Sequence, residues 1–310
     1  MITRDSGTDA LVPEPFSAEV IKELPSSSAA LTLCRRARMS TKTSRQPVLS
    51  LLPQAYWVAG DTGLKQTTKT DWENLELVAE EMAVIVPVPE AYIADSGVPI
   101  WDEVRPVVVE AFGAKLDQAI LFGTSKPSTW TSAALVPGAI AAGNAVENGD
   151  NEDIGQDIAA MGELLAEQGY TLNSFASKPG FNWRLVGHRT KTGDPIYGAR
   201  DISQGTPSSI FGRPNAEIEN GSWASDQALL LGGDFTKAIV GIRQDITFKV
   251  FTEGVITDDQ GVVLLNLMQQ DAVAMRFVMR VGYALANPVS PLAAIADRFP
   301  FAVLQPDTTP

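Results

Sequence analysis

The chain has 310 residues, 45% of them hydrophobic, and a formal net charge of −13 at pH 7 from 24 Lys and Arg against 37 Asp and Glu. That length and apolar content can fill one large core or two ordinary ones, which excludes a disordered chain or a mini-protein. The acidic surface as a whole repels nucleic acid and anionic membranes, so any DNA contact must be local.

The single cysteine, Cys34, cannot form an internal disulfide, and the single histidine, His188, cannot supply a zinc site built on paired His or Cys/His ligands. No run of about 18 apolar residues marks a membrane span. The opening MITRDSGTDALVPEP has no apolar stretch behind its charges, so a secretory signal is not expected and a soluble, cytoplasmic chain is.

Residues 1–33 mix Pro13, Pro15 and Pro25 with Ser26 to Ser28 and are expected to form an extended arm. Within it Phe16, Val20, Ile21 and Leu24 follow Ser17 at helical spacing, which allows a short helix. A basic cluster follows, Arg35, Arg36, Arg38, Lys42 and Arg45, with no acidic residue between Glu23 and Asp61. In an acidic protein such a cluster calls for a partner.

Residues 46–75 hold two β-favourable runs, Val48 to Leu52 and Ala55 to Val58, with the turn-rich Gly60-Asp61-Thr62-Gly63 between them and a Thr-rich stretch, and predict a long hairpin. Tyr56, Trp57 and Leu64 near its tip have no evident shelter within the chain, so the hairpin is expected to lie on another surface. Leu77 to Val88 is almost continuously apolar from Met82 and reads as a strand buried on both faces, ended by Pro87 and Pro89.

After Ser96 and Gly97, apolar residues from Ile100 to Ile120 recur at intervals of three and four. They predict a helix of about six turns, stopped by Gly123, with a kink or open turn at Pro106. Residues 125–150 read as loop. Ile154, Ile158, Met161 and Leu165 predict a second helix over about 152–168, capped by Asn151, closed by Gly169 and acidic on its outer face. From 180 to 235 short strands and turns are expected. Two long strands come late, Val240 to Val250 and Val273 to Tyr283, each alternating apolar with charged or polar positions. The chain is therefore an α+β protein in which strands distant in sequence meet.

Catalytic signals are weak. A phosphate-binding Gly-x-x-x-x-Gly-Lys-Ser/Thr is absent and no Gly-x-Gly-x-x-Gly follows a strand. His188, in GHRTKTG, could act as a general base, yet spacing identifies no nucleophile or orienting acid for it, and a surface histidine is the preferred reading. Cys34 precedes two arginines that would lower a thiol pKa, but a small buried apolar side chain explains it better. Asp150, Glu152 and Asp153 lack the glycine and distal glutamate of a calcium loop and read as a solvated acidic face ahead of a helix. The basic cluster could contact DNA; pairing with Asp71, Glu73, Glu76, Glu80 and Glu81 on a neighbouring copy is the stronger reading.

Four segments in this order carry a resemblance: MSTKTSRQPVLSLLPQAYWV, VPIWDEVRPVVVEAFGAKLDQAILFGT, LLLGGDFTKAIVGIRQDITFKVF and NLMQQDAVAMRFVMRVGYALANPVSPLA. The chain resembles the major capsid proteins of tailed bacteriophages, with the Hong Kong 97-type fold. The resemblance implies an N-terminal arm over 1–33 and an E-loop over 46–72. It implies a peripheral domain of 34–45, 73–124 and 236–285 with a long spine helix, and an axial domain of 125–235 and 286–310.

It further implies a structural subunit without catalysis or cofactor that assembles in the host bacterial cytoplasm. Hexamers and pentamers of it would form an icosahedral virion head around double-stranded DNA, which it touches loosely and without sequence preference. Expected partners are other copies of the chain, a portal, a separate scaffolding protein and, in decorated heads, a decoration protein; no membrane is involved.

Under this reading Arg35, Arg36, Arg38, Arg45, Tyr56, Trp57, Leu64, Lys65, Glu73, Glu76, Glu80 and Glu81 are the expected inter-subunit contacts. Lys65 and Lys69 could serve the lysine–asparagine cross-link of some family members, but no asparagine or assisting glutamate is identifiable, and cross-linking is not expected. The alternative with the same fold is an encapsulin-like nanocompartment; the alternative of another class is a cytoplasmic hydrolase using His188 or a thiol enzyme using Cys34.

Overall fold

The computed structural model describes residues 28–53, 68, 71–95, 100–151, 153–187, 209–288, 290–293 and 298–307. Two larger sheets, one long hairpin and one short hairpin, β11 (Val255–Thr257) with β12 (Val263–Asn266), organise them. The first sheet has the order β1-β10-β13-β4, formed by β1 (Arg35–Arg38), β4 (Glu80–Pro89), β10 (Ala238–Phe251) and β13 (Ala272–Leu285). The long hairpin is β2 (Thr43–Leu51) antiparallel to β3 (Asp71–Val78). The second sheet has the order β5-β14-β9-β6-β8-β7. Its strands are β5 (Ala145–Glu147), β6 (Ser174–Ser177), β7 (Ser209–Ile210), β8 (Arg213–Glu217), β9 (Leu230–Gly233) and β14 (Phe301–Gln305).

The period-two pattern of the late strands sets the four-stranded sheet. Met275, Phe277, Met279, Val281 and Tyr283 of β13 and Val240 and Ile246 of β10 all enter the core, while Arg276 and Arg280 stay outside. After the short helix α2 (Glu90–Asp95), helix α3 (Ile100–Asp117) lies on that inner face through Val108, Val109, Phe112 and Leu116. Pro106 is accommodated within it. A π-helical turn, Gln118–Phe122, widens the last turn, and Gly123 at φ 73° supplies the left-handed cap that ends the helix.

β4 corrects an expectation. Its exposure alternates residue by residue, so it is buried on one face only and forms the edge of the sheet. Met82, Val84 and Val86 pack inward while Ile85 is half exposed. Pro89 is the last residue of the strand, as expected, but Pro87 sits inside it, which an edge strand tolerates because the missing donor costs no ladder bond. A continuous apolar run does not distinguish an edge strand bearing extra apolar side chains from a strand covered on both faces.

The six-stranded sheet was the least visible in the sequence. Phe301 and Val303 of β14, Leu231 of β9 and Ala176 of β6 face the end of α3 and helix α4 (Leu135–Ala141). Ala302, Leu304, Leu230 and Phe175 face helices α5 (Ile154–Glu167) and α6 (Phe181–Gly187) on the other side. The region 125–150, expected as loop, therefore contains α4 and β5, and 180–235 contains α6 as well as short strands. α5 matches its expected span, with Gly169 closing it at φ 84°, but its cap is Asp153, whose carboxylate accepts from Gln156 N at 3.0 Å. Asn151 instead donates to the buried Asp157 carboxylate.

Residues 28–33 also depart from the extended-arm expectation. Helix α1 (Ala29–Leu33) buries Ala30 and Leu31 in the central core. The short helix expected around Phe16 to Leu24 lies outside the described residues.

Candidate assembly surfaces

The base of the hairpin is built into the body. Leu77 is fully buried with Met39, Ala79, Ile239 and Ala284. The Val78 carbonyl accepts from Trp130 Nε1 at 3.0 Å, and a Cβ on Gly282 would stand 2.7 Å from that same oxygen. Only glycine lets β13 pass so close beneath the crossing chain. Beyond this base the hairpin changes character. β3 is exposed from Asp71 to Asn74, and Trp72 is 63% exposed opposite Leu49. At about 3.3 Å per residue its strands are some 25–30 Å long from base to outer end, and no described residue of them beyond the base is buried.

Charges group along this blade and the neighbouring edge. Arg45 pairs with the cross-strand Glu76 at 3.7 Å, and Lys42 with Glu80 at 3.7 Å. Arg280 holds Glu81 through Nε at 2.9 Å and Nη2 at 2.7 Å. Thus Arg45, Glu76, Glu80 and Glu81, expected to serve a neighbouring copy, already have partners in their own chain. Asp71 and Glu73 have no ion pair among the described residues. Neither do Arg35, Arg36 and Arg38, which are exposed on β1, an edge strand running parallel to residues 239–242 of β10. Tyr56, Trp57, Leu64, Lys65 and Lys69 lie outside the described residues.

The outer face of the four-stranded sheet is uncovered and cationic. Lys249 stands directly opposite Arg276 in the β10–β13 register, an unfavourable like-charge pair on an exposed sheet. Arg276 is partly satisfied by the Phe251 ring, 5.1 Å from its guanidinium.

At the foot of the N-terminal segment lies a buried carboxylate that the sequence reading passed over. Asp117, the last residue of α3, accepts from Ser28 Oγ at 2.7 Å, Ala29 N at 3.0 Å, Ala30 N at 2.9 Å and Asn220 Nδ2 at 2.7 Å. Ser28 Oγ in turn accepts from Leu31 N at 3.3 Å, so both residues cap α1. Burial raises the Asp117 carboxyl above its ordinary range, with the hydrogen bonds from Ala30, Ser28, Asn220 and Ala29 opposing that rise. A buried acid at the end of an amphipathic helix, three residues before Ile120, was the available signal.

Cys34 is buried in the same core, and burial first, then the Asp117 charge, pushes its thiol far above the ordinary range. That removes the activated thiolate on which a thiol enzyme would depend. His188 and Glu152 lie outside the described residues; Asp150 accepts from Glu147 N at 3.2 Å in the loop ahead of α5. Among the described residues no three Asp, Glu, His or Cys side chains gather as a metal site, and no helix is long and apolar enough to cross a membrane. The described residues offer surfaces and latches, and among them no constellation of nucleophile, base and oxyanion donors is assembled.

Residues 8–295 match the model of the phage capsid family. The chain belongs to the phage capsid family. It is 27% identical over 282 residues to the major capsid protein of Staphylococcus phage 80alpha, covering 90% of this chain and 83% of that protein. A solved structure from Microbacterium phage Oxtober96 superposes with a TM-score of 0.82 at 42% identity, covering 90% of this chain and 91% of the other. One from Mycobacterium phage Cain superposes with a TM-score of 0.81 at 33% identity over 100% and 96%. The α+β architecture is thus the Hong Kong 97-type capsid fold. The chain is a major capsid subunit of a tailed phage, a structural member of shells built from copies of itself, in a family that is not one of enzymes.

Proposed function

We propose that this capsid chain assembles as hexamers and pentamers into an icosahedral head enclosing double-stranded DNA, with each hairpin lying across a neighbouring copy. The observation that carries this is the hairpin itself: a fixed base joined to a long exposed blade, a structure marginal in water unless a second surface receives it. Residues 34–45, 73–124 and 236–285 would form the peripheral domain, and 125–235 with 286–310 the axial one. In support, the four-stranded sheet draws every strand from the first set and the six-stranded sheet every strand from the second.

Within this reading the exposed carboxylates of Asp71 and Glu73 meet Arg35, Arg36 and Arg38 of an adjacent copy. The head forms in the host cytoplasm with a portal and a separate scaffold, catalyses no reaction, and leaves decoration proteins to dock from outside. Light scattering and negative-stain microscopy of the chain expressed with its neighbouring genes should give uniform shells tens of nanometres across, with DNA inside when packaging genes are present. Monomers alone would sink the reading, and protein cargo in place of DNA would favour a nanocompartment. Arg35→Glu with Arg36→Glu should reduce assembly; unchanged shells would remove the charge pairing.

A further inference from the structure

We propose that Trp183 of one copy docks in a groove beside α5 of the next, a head-to-tail contact that links neighbouring copies into rings. The inference rests on the shell reading above and names a contact within it.

The knob is built by the periodicity of α6. Phe181 and Leu185, four residues apart, are buried against the sheet, and Asn182 is held by Asn215 Nδ2 at 2.9 Å. At about 100° per residue this turns Trp183 away from the sheet, and it is 69% exposed. A large aromatic standing free on a rigidly anchored helix is the residue type that most often carries interface energy.

The hole is on the same layer but elsewhere. A groove of about 440 Å³ is lined by Ile158, Gly162 and Ala166 of α5 with Leu172, Phe211 and Arg213. A Cβ on Gly162 would meet nothing within 4 Å, so the helix leaves open space there. Phe211, 69% exposed, is held at φ 49° in the turn between β7 and β8, a left-handed conformation that a bulky residue adopts at a cost. Its ring forms an apolar wall that solvent does not reward.

Charge fits the same pairing. Exposed Glu163 and Glu167 follow Gly162 and Ala166 on α5 and outnumber the one cation of the groove lining, Arg213, whereas Arg184 follows Trp183. Within its own chain the indole does not line the groove. Phe181 and Leu185 pin α6, and Arg184 Nη2 donates to Asn148 Oδ1 at 3.1 Å in the loop ahead of α5, whereas the groove lies along the later turns of α5. Knob and hole on different patches of one chain make a heterologous contact, which closes into a ring when the rotation between copies closes.

The test uses substitutions that keep the fold. Trp183→Ala removes an exposed side chain, and Gly162→Leu fills the groove while improving helix propensity. Each should lower shell yield at least tenfold, measured by light scattering and microscopy, with circular dichroism unchanged. The double variant should be no worse than either single one, because both remove one contact. Arg184→Glu should impair assembly, and Glu163→Arg with Glu167→Arg should restore it. Normal shells from either Trp183→Ala or Gly162→Leu would overturn the inference while leaving the capsid reading intact. Failure of the unmodified chain to form particles would bring down both.

Discussion

The six-stranded sheet and the β2–β3 hairpin are opposite solutions to the burial of apolar surface. The sheet is covered on both faces, with Phe301 and Val303 facing one cluster and Ala302 and Leu304 the other. Among its described residues the hairpin is buried at its base alone, by Leu77 and its neighbours, and exposes Trp72 beyond it. A subunit that must be stable before assembly and adaptable during it needs both: a body that satisfies itself, and a blade that, in the function proposed above, finds its partner on another copy.

That contrast predicts how damage divides between folding and assembly. Phe175→Ala, in the middle of the sheet, should destabilise the unassembled subunit by about 3–5 kcal/mol in urea unfolding, from lost burial plus a cavity. A loss below about 1 kcal/mol would show that the body is less self-sufficient than its burial implies.

Asp117→Ala should cost about 3 kcal/mol or more, since it leaves the donors of Ser28, Ala29, Ala30 and Asn220 without their shared acceptor. The pH dependence adds a sign. Burial raises this carboxyl in the fold, so the folded chain holds the proton more tightly than the unfolded chain does. Its contribution therefore favours folding most in acid and declines as pH rises from the ordinary carboxylate range near 4 through the raised value. The stability advantage of the native chain over Asp117→Asn should shrink across that window; an advantage that grows would reverse the assignment.

Gly282→Ala lies on the boundary between the two regions. Its Cβ would press on the Val78 carbonyl at 2.7 Å, so a loss of about 1–3 kcal/mol is expected. Because the strain falls at the hairpin base, amide exchange should speed up there first, with the six-stranded sheet unaffected.

Trp72→Ala and Arg45→Ala, on the exposed blade, should change subunit stability by no more than about 0.5 kcal/mol. Trp72→Ala should nevertheless reduce shell yield. Equal effects of Phe175→Ala and Trp72→Ala on folding would erase the distinction between body and blade.

Legibility in the sequence followed the same division. The spine helix, α5 and the long strands β10 and β13 were readable because one repeating face carries each of them. β14 was not: five residues, Phe301 to Gln305, buried on both faces, show no period. β1 was hidden because RRAR is exposed and charged, and its strand conformation comes from hydrogen bonding to β10, more than two hundred positions later. The charge partners were half legible. The acids and bases were identified, but cross-strand register at Arg45 and Glu76 and the β13–β4 register at Arg280 and Glu81 joined several of them within the chain.

By itself the sequence determined the acidic charge, the α+β class, the order of arm, hairpin, spine helix and late strands, and through that order the resemblance to phage capsid proteins. These are properties of composition and local periodicity, which a single chain segment displays without its neighbours. The tertiary structure alone decided that Asp117 caps α1, that Cys34 shares its core with that carboxylate, that β4 is an edge, and that Trp183 and the α5 groove stand as separate surfaces. Each depends on contacts between residues far apart in the chain, where burial and register, set by the packed whole, choose which side chains remain for a neighbour.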